Sequence, residues 1–575
     1  MMIVLSEFQK GLIKFFRRGR ALMVGILSLL VASHSLATEF GDPKKINLPL
    51  GDRDYIQMFD FLADTNRAFY DVVNSSSGYR KLYNAELNKS PGTAVNITGS
   101  RNLRNFAISP DGEYIVYSTS SSPFNSPSLL QSQKSDISEA PVALSPQLSG
   151  GRDIASQYVS PDSKTVIFIS EESVDNLREL YSVPITGPSN ARIKLSGPMD
   201  PPSDSSSVIG VSIVAISPDS TRVLYKAKQV GDTKPELYSV ATDGSSPPVR
   251  LTNLSDNNTS ISSKIKISPD SSQVTFISDY ASKTHYELYR IPITGPSSAA
   301  VKLNHVSDGE SVWDSRISPD GSAVVYTSAR SDFVGLYSVP MDRSSEPVLL
   351  NPIPVPGGSV SIYFAFTPDS SRVVFLGDLD TDRVEELYSV PVAGPSSEAV
   401  KLHADLVANQ RVESFDIVPD GSSVVFRMDT SIPSYQSDLY LAPVDGSSQA
   451  TMLNVNAHDK VNVKEQIFIS TNSEYVVYLA DQDTDDITEM YSVSLKEPQL
   501  PVKLNAPLPA GGQVASGLVL PNNYVRISPN SKRILYSAEQ VTDDVTELFM
   551  IEQKSDDESC FVVKTAAAKV VTFCL

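Results

Sequence analysis

A Ser-Pro-Asp turn recurs along this chain about every fifty residues, and this repeat constrains the fold more than any other feature of the sequence. The copies begin at Ser109, Ser160, Ser217, Ser268 and Ser318, with degenerate copies at Thr367, Val418, Ser470 and Ser528. Successive turns lie 51, 57, 51, 50, 49, 51, 52 and 58 residues apart. A period this regular over 575 residues indicates a repeat architecture, in which each unit buries apolar surface against its neighbours.

Each repeat unit has the pattern of four short strands. A first strand such as VSIVAI (211–216) runs into the turn, where proline presets φ and the serine and aspartate side chains can bond to the backbone. A second strand such as AVVYTS (323–328) returns, and a variable polar loop leads to a third strand such as ELYSVP (386–391). A short fourth strand such as AVKLN (300–304) completes the unit. The third strand ends at a proline, where a missing N–H costs least.

Four antiparallel strands every fifty residues, with no helix between them, predict an all-β β-propeller. We expect about ten blades, including a weaker first copy at 61–98 that matches 468–505, although residues 56–74 also fit an amphipathic helix. The ten blades close one large ring or divide into two smaller rings. Residues 44–48 (KKINL) resemble a fourth strand and favour a single closure beside the last blade. The repeats span residues 38–555, and the predicted units start near residues 56, 106, 157, 213, 264, 315, 363, 414, 466 and 524.

The Ser-Pro-Asp-Gly turn followed by VVY and LY-V strands resembles the TolB-like, or WD40-like, bacterial propeller repeat over nearly all of residues 56–552. The resemblance implies a propeller that takes part in periplasmic protein contacts, and it implies no particular chemistry. TolB proteins carry a small α/β domain before a six-bladed propeller. About twenty residues separate residue 37 from the first repeat, so we expect that domain to be missing and infer no role in the Tol envelope system.

Residues 1–37 have the pattern of a bacterial secretory signal peptide. Basic residues between Lys10 and Arg20 precede an apolar run at 21–32, and the small residues Ser35 and Ala37 suit cleavage. A membrane anchor is the alternative, but the apolar run is short for a bilayer span. We therefore expect a periplasmic or secreted protein that has no membrane span after cleavage.

The chain is acidic, with a net charge of −19 at pH 7. Residues 1–37 carry five basic residues and one acidic residue, so their removal leaves −23. This charge repels the phosphates of nucleic acids and anionic lipids. We expect a protein partner or an extracellular ligand and no nucleic acid, and cations or basic protein surfaces suit the charge best.

Both cysteines, Cys560 and Cys574, lie in the C-terminal segment CFVVKTAAAKVVTFCL. Two apolar runs flank a small-residue turn, which predicts a β-hairpin over residues 556–575 with the cysteines opposite each other. Because exported proteins meet an oxidising compartment, we expect a disulfide between these two residues.

In a propeller, the loops between second and third strands emerge on the same face as the connections from one blade to the next. Two of these loops contain alternating aspartates that can present carboxylates to Ca²⁺, although their spacing is not that of an EF-hand. Solvated acidic loops that keep an exported protein soluble are the alternative. The candidate metal ligands are Asp378, Asp380, Asp382, Asp481, Asp483 and Asp485.

Four further residues on the same face are candidates for ligand contacts. His305, His403 and His458 occupy equivalent places in three repeat units, which the repetition alone explains without a metal centre. Trp313 is the only tryptophan, and we place it in the same class of loop as His305. There it would contact a ligand or cap the edge of a blade.

Catalytic motifs are missing from the sequence. There is no Gly-x-Ser-x-Gly elbow, and no α/β-hydrolase segment follows the repeats, which excludes the domain arrangement of prolyl oligopeptidases. Phosphate-binding glycine loops and zinc-spaced cysteine pairs are also missing. The sequence favours a binding scaffold that acts through its acidic loop face. Two alternatives stay open: a propeller enzyme of polysaccharide lyase or hydrolase type with its site in the central channel, and a calcium-stabilised cell-surface protein.

Overall fold

The structure is a computed structural model of the chain. The predicted signal peptide and His458 lie outside the residues that it describes. These are residues 40–51, 53–62, 66–89, 93–123, 128–148, 152–202, 208–254, 259–279, 281–282, 284–305, 310–329, 333–406, 410–431, 436–454, 460–496, 500–514, 524–541, 545–554, 560–564 and 570–574.

Ten antiparallel sheets follow one another along the described chain, and each forms a propeller blade of four strands. The strands of blades 1 to 3 are β2–β5 (Asp54–Phe61, Arg67–Asn74, Arg80–Glu86, Val95–Asn96), β6–β9 (Asn102–Ile108, Tyr114–Ser120, Ser128–Lys134, Val142–Ala143) and β10–β13 (Ile154–Val159, Thr165–Ser170, Leu177–Pro184, Ile193–Lys194). An additional short strand, β14 (Ile209–Gly210), pairs with β12. The strands of blades 4 to 6 are β15–β18 (Ile213–Ile216, Arg222–Ala227, Glu236–Ala241, Val249–Arg250), β19–β22 (Lys266–Ile267, Gln273–Ser278, Glu287–Pro292, Val301–Lys302) and β23–β26 (Ser311–Ile317, Ala323–Ala329, Val334–Pro340, Val348–Leu349).

Blades 7 to 10 continue the series and complete the circle. Their strands are β27–β30 (Val360–Phe366, Arg372–Gly377, Glu386–Pro391, Val400–Lys401), β31–β34 (Arg411–Ile417, Ser423–Ser431, Gln436–Pro443, Thr451–Met452), β35–β38 (Val463–Ile469, Tyr475–Ala480, Glu489–Ser494, Val502–Lys503) and β39–β41 (Val525–Ile527, Arg533–Ala538, Glu547–Glu552). The fourth strand of blade 10 is β1 (Lys44–Lys45), which pairs antiparallel with β41. Three 3₁₀ turns precede fourth strands (Ser189–Ala191, Ser297–Ala299, Ser396–Glu398). The described residues contain no α-helix.

The Ser-Pro-Asp turn joins the first strand of a blade to the second, as predicted, and it also links neighbouring blades. The Ser217 hydroxyl donates to the Asp219 carboxylate at 2.6 Å and accepts the N–H of Arg222 at 2.9 Å. The residue after the aspartate has positive φ, which is 65° at Ser220. The Ser220 hydroxyl accepts the N–H of Asp162 in the preceding blade at 3.0 Å. The repeated turn therefore stabilises the interface between blades as well as the hairpin.

A second repeated contact fastens the short fourth strand to the third strand in every blade. The side chain just after the fourth strand accepts the backbone N–H of the leucine or methionine in the third strand, and we call this contact the strand-4 latch. The pairs are Leu82–Thr98, Leu130–Ser145, Leu180–Ser196, Leu237–Thr252, Leu288–Asn304, Leu336–Asn351, Leu387–His403, Leu439–Asn454, Met490–Asn505 and Leu548–Asn47. Because a two-residue strand makes few ladder bonds, each latch satisfies a buried N–H that would otherwise lack a partner.

The blades close one ring. Every pair of consecutive blades shares a buried hydrophobic cluster, from blades 1 and 2 to blades 9 and 10. A tenth cluster joins the last blade to the first, where Ile56 and Phe59 pack with Leu535 and Met550. The prediction of an all-β propeller of about ten blades is confirmed, and the alternative of two smaller rings is wrong. The N-terminal strand closes the circle because it supplies the edge that the last blade lacks.

The C-terminal hairpin pairs β42 (Cys560–Lys564) with β43 (Val570–Cys574). Its register places the backbone of Cys560 directly opposite that of Cys574. The positions of the two sulfur atoms are outside the described part of the chain, so the disulfide stays a prediction.

Candidate functional site: the acid-rich loop face

The loops between second and third strands and the connections between blades lie on one face of the ring, which we call the loop face. The aspartate rows at 378–382 and 481–485 lie here, between β28 and β29 and between β36 and β37. The opposite face, which we call the turn face, carries the Ser-Pro-Asp turns and the turns between third and fourth strands. The loop face is the candidate site because it holds the predicted metal ligands and variable loops.

The first aspartate of each row organises its own loop. The Asp378 carboxylate accepts the N–H groups of Ser359 at 2.6 Å and Arg383 at 2.9 Å. In blade 9, the buried Asp481 carboxylate accepts the N–H of Asn462 at 2.7 Å. The bonds from Ser359 and Asn462 join each loop to the chain entering the first strand of the same blade. These two carboxylates therefore fix the loop backbone and are not free for a ligand.

The second aspartate of each row forms an ion pair with a lysine from the fourth strand. Asp380 lies 2.6 Å from the Lys401 ammonium, and Asp483 lies 2.7 Å from that of Lys503. Lys401 also contacts the buried Glu386 at 2.8 Å. Although burial opposes it, the surrounding carboxylates raise the pKa of Lys401. The lysine thus stays charged and bridges the loop to the edge of its blade.

The third aspartate of each row points outward. Asp382 and Asp485 are exposed, and Asp485 pairs with Lys460 at 2.7 Å. The three carboxylates of a row therefore have separate partners and do not converge on one point. Within the described ranges, no group of three or more His, Cys, Asp and Glu side chains is arranged to hold a metal ion. Calcium binding by these aspartates stays a prediction.

Two of the three candidate histidines lie in the described residues, where they serve different blades and are not brought together. His403 is buried, and its Nε2 accepts the N–H of Leu387 at 3.1 Å as the strand-4 latch of blade 7. Its Nδ1 lies 2.7 Å from the carbonyl of Ala404, and burial lowers the pKa of the ring. His305 lies in the connection between blades 5 and 6, and its Nε2 is 3.2 Å from the carbonyl oxygen of Pro347. His403 is therefore not part of the surface that a ligand could contact.

Trp313 lies in strand β23 and not in a loop, so the predicted loop position is wrong. The register between β23 and β24 shifts between Val312 and Asp314, which makes Trp313 the extra residue of a β-bulge. A bulge turns its side chain out of the ladder, and Trp313 is 49% exposed. Tyr363 on the next blade, which no sequence motif singled out, is 63% exposed. Aligning the repeats on their turns places both residues on first strands and could have identified them.

The turn face carries a shallow depression of about 630 Å³ between blades 3, 4 and 5. Its lining includes the carboxylates of Asp162, Asp219 and Asp243, the hydroxyl of Ser271 and the side chain of Arg222. Hydrogen bonds from neighbouring hydroxyl and N–H groups hold the pKa of Asp219 below its usual value despite some burial. This part of the turn face therefore also carries ionised carboxylates at neutral pH.

Comparisons with known proteins identify no family for the chain. No family model matches the sequence, and no curated protein matches it. Similar solved structures include a TolB from Agrobacterium tumefaciens, with 19% identity, a TM-score of 0.26, and coverage of 46% of this chain and 84% of that chain. A prolyl endopeptidase structure has 11% identity, a TM-score of 0.35, and coverage of 77% and 55%. A eukaryotic initiation factor has 11% identity, a TM-score of 0.44, and coverage of 72% and 91%.

The described residues contain no helix with the length and apolar character of a membrane span.

Proposed function

We propose that this protein is an exported β-propeller that acts as a rigid scaffold and binds a protein partner or extracellular ligand through its acid-rich loop face. The proposal is carried by one observation. Exposed carboxylates project from loops that are themselves tied to the blades. Asp382, Asp485 and Asp486 lie in these loops, and Asp405 adds a fourth exposed carboxylate in the connection that follows blade 7.

The fixed loop backbone supports a binding role because a preorganised surface loses little entropy when a partner binds. Asp378 and Asp481 hold the two loops through bonds to backbone N–H groups, and Lys401 and Lys503 hold their second aspartates. Variable loops on a rigid scaffold are the usual place for recognition. The exposed third aspartates can then meet a partner without a large rearrangement.

The charge of the chain indicates what kind of partner fits. With a net charge of −19, the protein attracts basic surfaces and repels acidic ones at long range. Exposed charge pairs contribute more to association rate and specificity than to affinity. We therefore expect binding that weakens as salt shortens the range of the electrostatic attraction.

The binding proposal is tested with two variants that change the net charge equally. The loop-face variant carries Asp→Asn substitutions at Asp382, Asp405, Asp485 and Asp486. The control variant carries Asp→Asn substitutions at four exposed turn-face aspartates, each of which accepts the N–H two residues further on, a bond that asparagine can also accept: Asp136, Asp243, Asp342 and Asp445. Immobilised wild-type protein and both variants are exposed to the exported proteins of the cells that make it, at low and high salt.

We expect the control variant to retain the proteins captured by the wild type, and the loop-face variant to lose them. Equal capture by all three proteins would overturn the assignment of the loop face. Capture that survives high salt unchanged would contradict a charge-guided contact.

Export is supported by the basic and apolar pattern of residues 1–37. The full chain, expressed with a C-terminal tag, should be recovered outside the cytoplasm with Thr38 as its first residue. Fractionation and mass spectrometry of the N-terminus measure this. An intact N-terminus in the cytoplasmic or membrane fraction would contradict the export proposal.

A further inference from the structure

The first strands of the blades line the centre of the ring. Neighbouring first strands contact each other directly, as β6 does with β10, β23 with β27, and β31 with β35. The circle closes through the same kind of contact between β39 and β2. We call the exposed side chains of these strands the inner wall.

An apolar patch is concentrated on one part of the inner wall. Among the described first-strand residues, the large hydrophobic side chains that are substantially exposed are Tyr158, Trp313, Ile362 and Tyr363. Three of these four lie on the adjacent blades 6 and 7, where Trp313 and Ile362 occupy equivalent positions five residues before the turn. The Arg316 guanidinium lies 5.0 Å from the centre of the Phe364 ring, so the two strands are side by side. Exposed aromatic rings collected at one place mark a contact surface.

Positive charge lies beside this patch. Lys266 on blade 5 and Arg316 on blade 6 are exposed and occupy equivalent positions two residues before the turn. Neither has a carboxylate partner among the residues that the structure describes. Other basic side chains at the centre are neutralised, since Arg411 pairs with Glu413 and Arg526 lies 3.8 Å from Asp60.

Negative charge occupies a different part of the inner wall. Asp416 on blade 8 and Glu465 on blade 9 are exposed. An anionic ligand is repelled there and attracted to blades 5 to 7. The division of charge therefore confines an anionic ligand to the side of the ring that also carries the aromatic patch.

The geometry points to a binding surface for a short acidic oligosaccharide, of the uronate class, on the inner wall of blades 5 to 7. The C–H face of a sugar ring packs on flat aromatic side chains such as Trp313 and Tyr363, which also carry polar groups for its hydroxyls. A uronate carboxylate matches the guanidinium of Arg316, which can donate two parallel hydrogen bonds, and the ammonium of Lys266.

A peptide strand is the competing occupant, and the wall does not favour it. Peptides that add to a sheet edge bind mainly through backbone hydrogen bonds. Every blade presents the same kind of inner edge, so backbone pairing would not select blades 5 to 7. The features specific to these blades are aromatic rings and unpaired cations, which recognise ring faces and carboxylates.

Trp313 provides a direct readout because it is the only tryptophan in the chain. The mature chain is titrated with trigalacturonate while tryptophan emission is recorded, and calorimetry measures the same binding for the variants. Maltotriose supplies the sugar rings without carboxylates, and pentaglutamate supplies carboxylates without sugar rings. We expect a saturable change in emission with trigalacturonate and much weaker binding of the other two ligands.

Variants locate the surface. Arg316→Gln and Tyr363→Ser should each weaken trigalacturonate binding by about tenfold, a loss typical of one removed recognition contact. Tyr363→Phe should weaken binding less than Tyr363→Ser does, because it keeps the ring face and loses only the hydroxyl. Lys532→Gln and Tyr79→Ser, at exposed positions away from the inner wall, are the matched controls and should have no effect.

Three outcomes overturn the proposal. The first is no change in emission and no heat of binding up to concentrations on the order of 1 mM. The second is binding of pentaglutamate or maltotriose as tightly as trigalacturonate. The third is wild-type affinity in both Arg316→Gln and Tyr363→Ser. None of these outcomes bears on the loop face, because the variants that test the two surfaces share no residue.

Discussion

The side-chain carbonyl of Asn47 accepts a hydrogen bond of 2.8 Å from the backbone N–H of Leu548, which lies 501 residues further along the chain. This bond is the strand-4 latch of the last blade, and the N-terminal segment supplies it. Lys45 on the same segment pairs with Glu547, as Lys401 pairs with Glu386 in blade 7. The first described residues therefore complete the last blade with the same contacts that the other blades make internally.

Loss of the Asn47 latch should weaken the closure of the ring. Asn47→Ala leaves the buried N–H of Leu548 without its acceptor, which costs about 1–3 kcal/mol of unfolding free energy. Lys44→Ala, an exposed position on the same strand, is the control and should change stability by less than about 0.5 kcal/mol. Urea unfolding of both variants measures the difference, and equal stability of the two would refute the latch at the closure.

His403 should be replaceable by asparagine, which occupies the latch position in five other blades. His403→Asn should keep the stability of the wild type, because an amide oxygen can accept the N–H of Leu387. His403→Ala should cost about 1–3 kcal/mol because that buried N–H loses its acceptor. A functional metal-binding histidine would not be expected to tolerate this exchange. Chemical denaturation of the two variants measures the effect.

The same residue should make the protein sensitive to mild acid. Burial lowers the pKa of His403 below 6.5, so the unfolded chain takes up a proton before the folded chain does. Stability contributed by neutral His403 is therefore present above about pH 6.5 and is lost as the pH falls below it. Between pH 7 and pH 5, the melting temperature of the wild type should fall further than that of His403→Asn. Parallel pH profiles would contradict this account.

Ser220 combines a strained backbone with an inter-blade hydrogen bond, and two substitutions separate these effects. Ser220→Ala removes the acceptor for the N–H of Asp162 and keeps φ at 65°, so it should cost about 1 kcal/mol. Ser220→Gly also removes the acceptor but relieves the left-handed conformation by about 1 kcal/mol. The glycine variant should therefore unfold at higher urea than the alanine variant. The reverse order would show that strain at this turn is negligible.

The C-terminal hairpin should contain a disulfide in the exported protein. The backbone register sets Cys560 opposite Cys574, which is the position from which a cross-strand bridge can form. Thiol labelling of the denatured, unreduced protein should modify no cysteine, and labelling after reduction should modify both. Labelling of two thiols without reduction would exclude the bridge.

Calcium should raise the melting temperature if the aspartate rows bind it. A bound ion would have to compete with Lys401 and Lys503, which already pair with Asp380 and Asp483. We therefore expect weak binding that needs roughly millimolar Ca²⁺ and is abolished in an Asp380→Asn, Asp483→Asn double variant. Melting curves with Ca²⁺ and with a chelator measure the shift. Identical curves would remove calcium from consideration.

Much of the fold follows from the sequence because its signals are local. The Ser-Pro-Asp turn at Ser217 and the prolines that end third strands, such as Pro391, lie where the patterns placed them. The resemblance of residues 44–48 to a fourth strand favoured a single closure, and the strand Lys44–Lys45 does pair with the last blade. Each of these signals depends on residues within a few positions of one another, and turn chemistry and alternation act at that range.

The functional surfaces were harder to predict because their contacts are not local. Asp378, Asp380 and Asp382 look alike in the sequence, yet one holds a backbone, one pairs with a lysine and one faces solvent. His403 has the residue type of a ligand, but its Nε2 accepts the N–H of Leu387, and that contact is not evident from the sequence.

Taken by itself, the sequence determined the number of repeats, the four-strand unit and the turn that joins its first two strands. Only the tertiary structure decided that the ten blades form one ring, that His403 is a latch, and that the side chain of Trp313 turns outward at a bulge within its strand. The physical reason is that strand formation and turn type depend on neighbouring residues. The residue that a side chain contacts, and its exposure to solvent, depend on the register between strands and on which blades pack together.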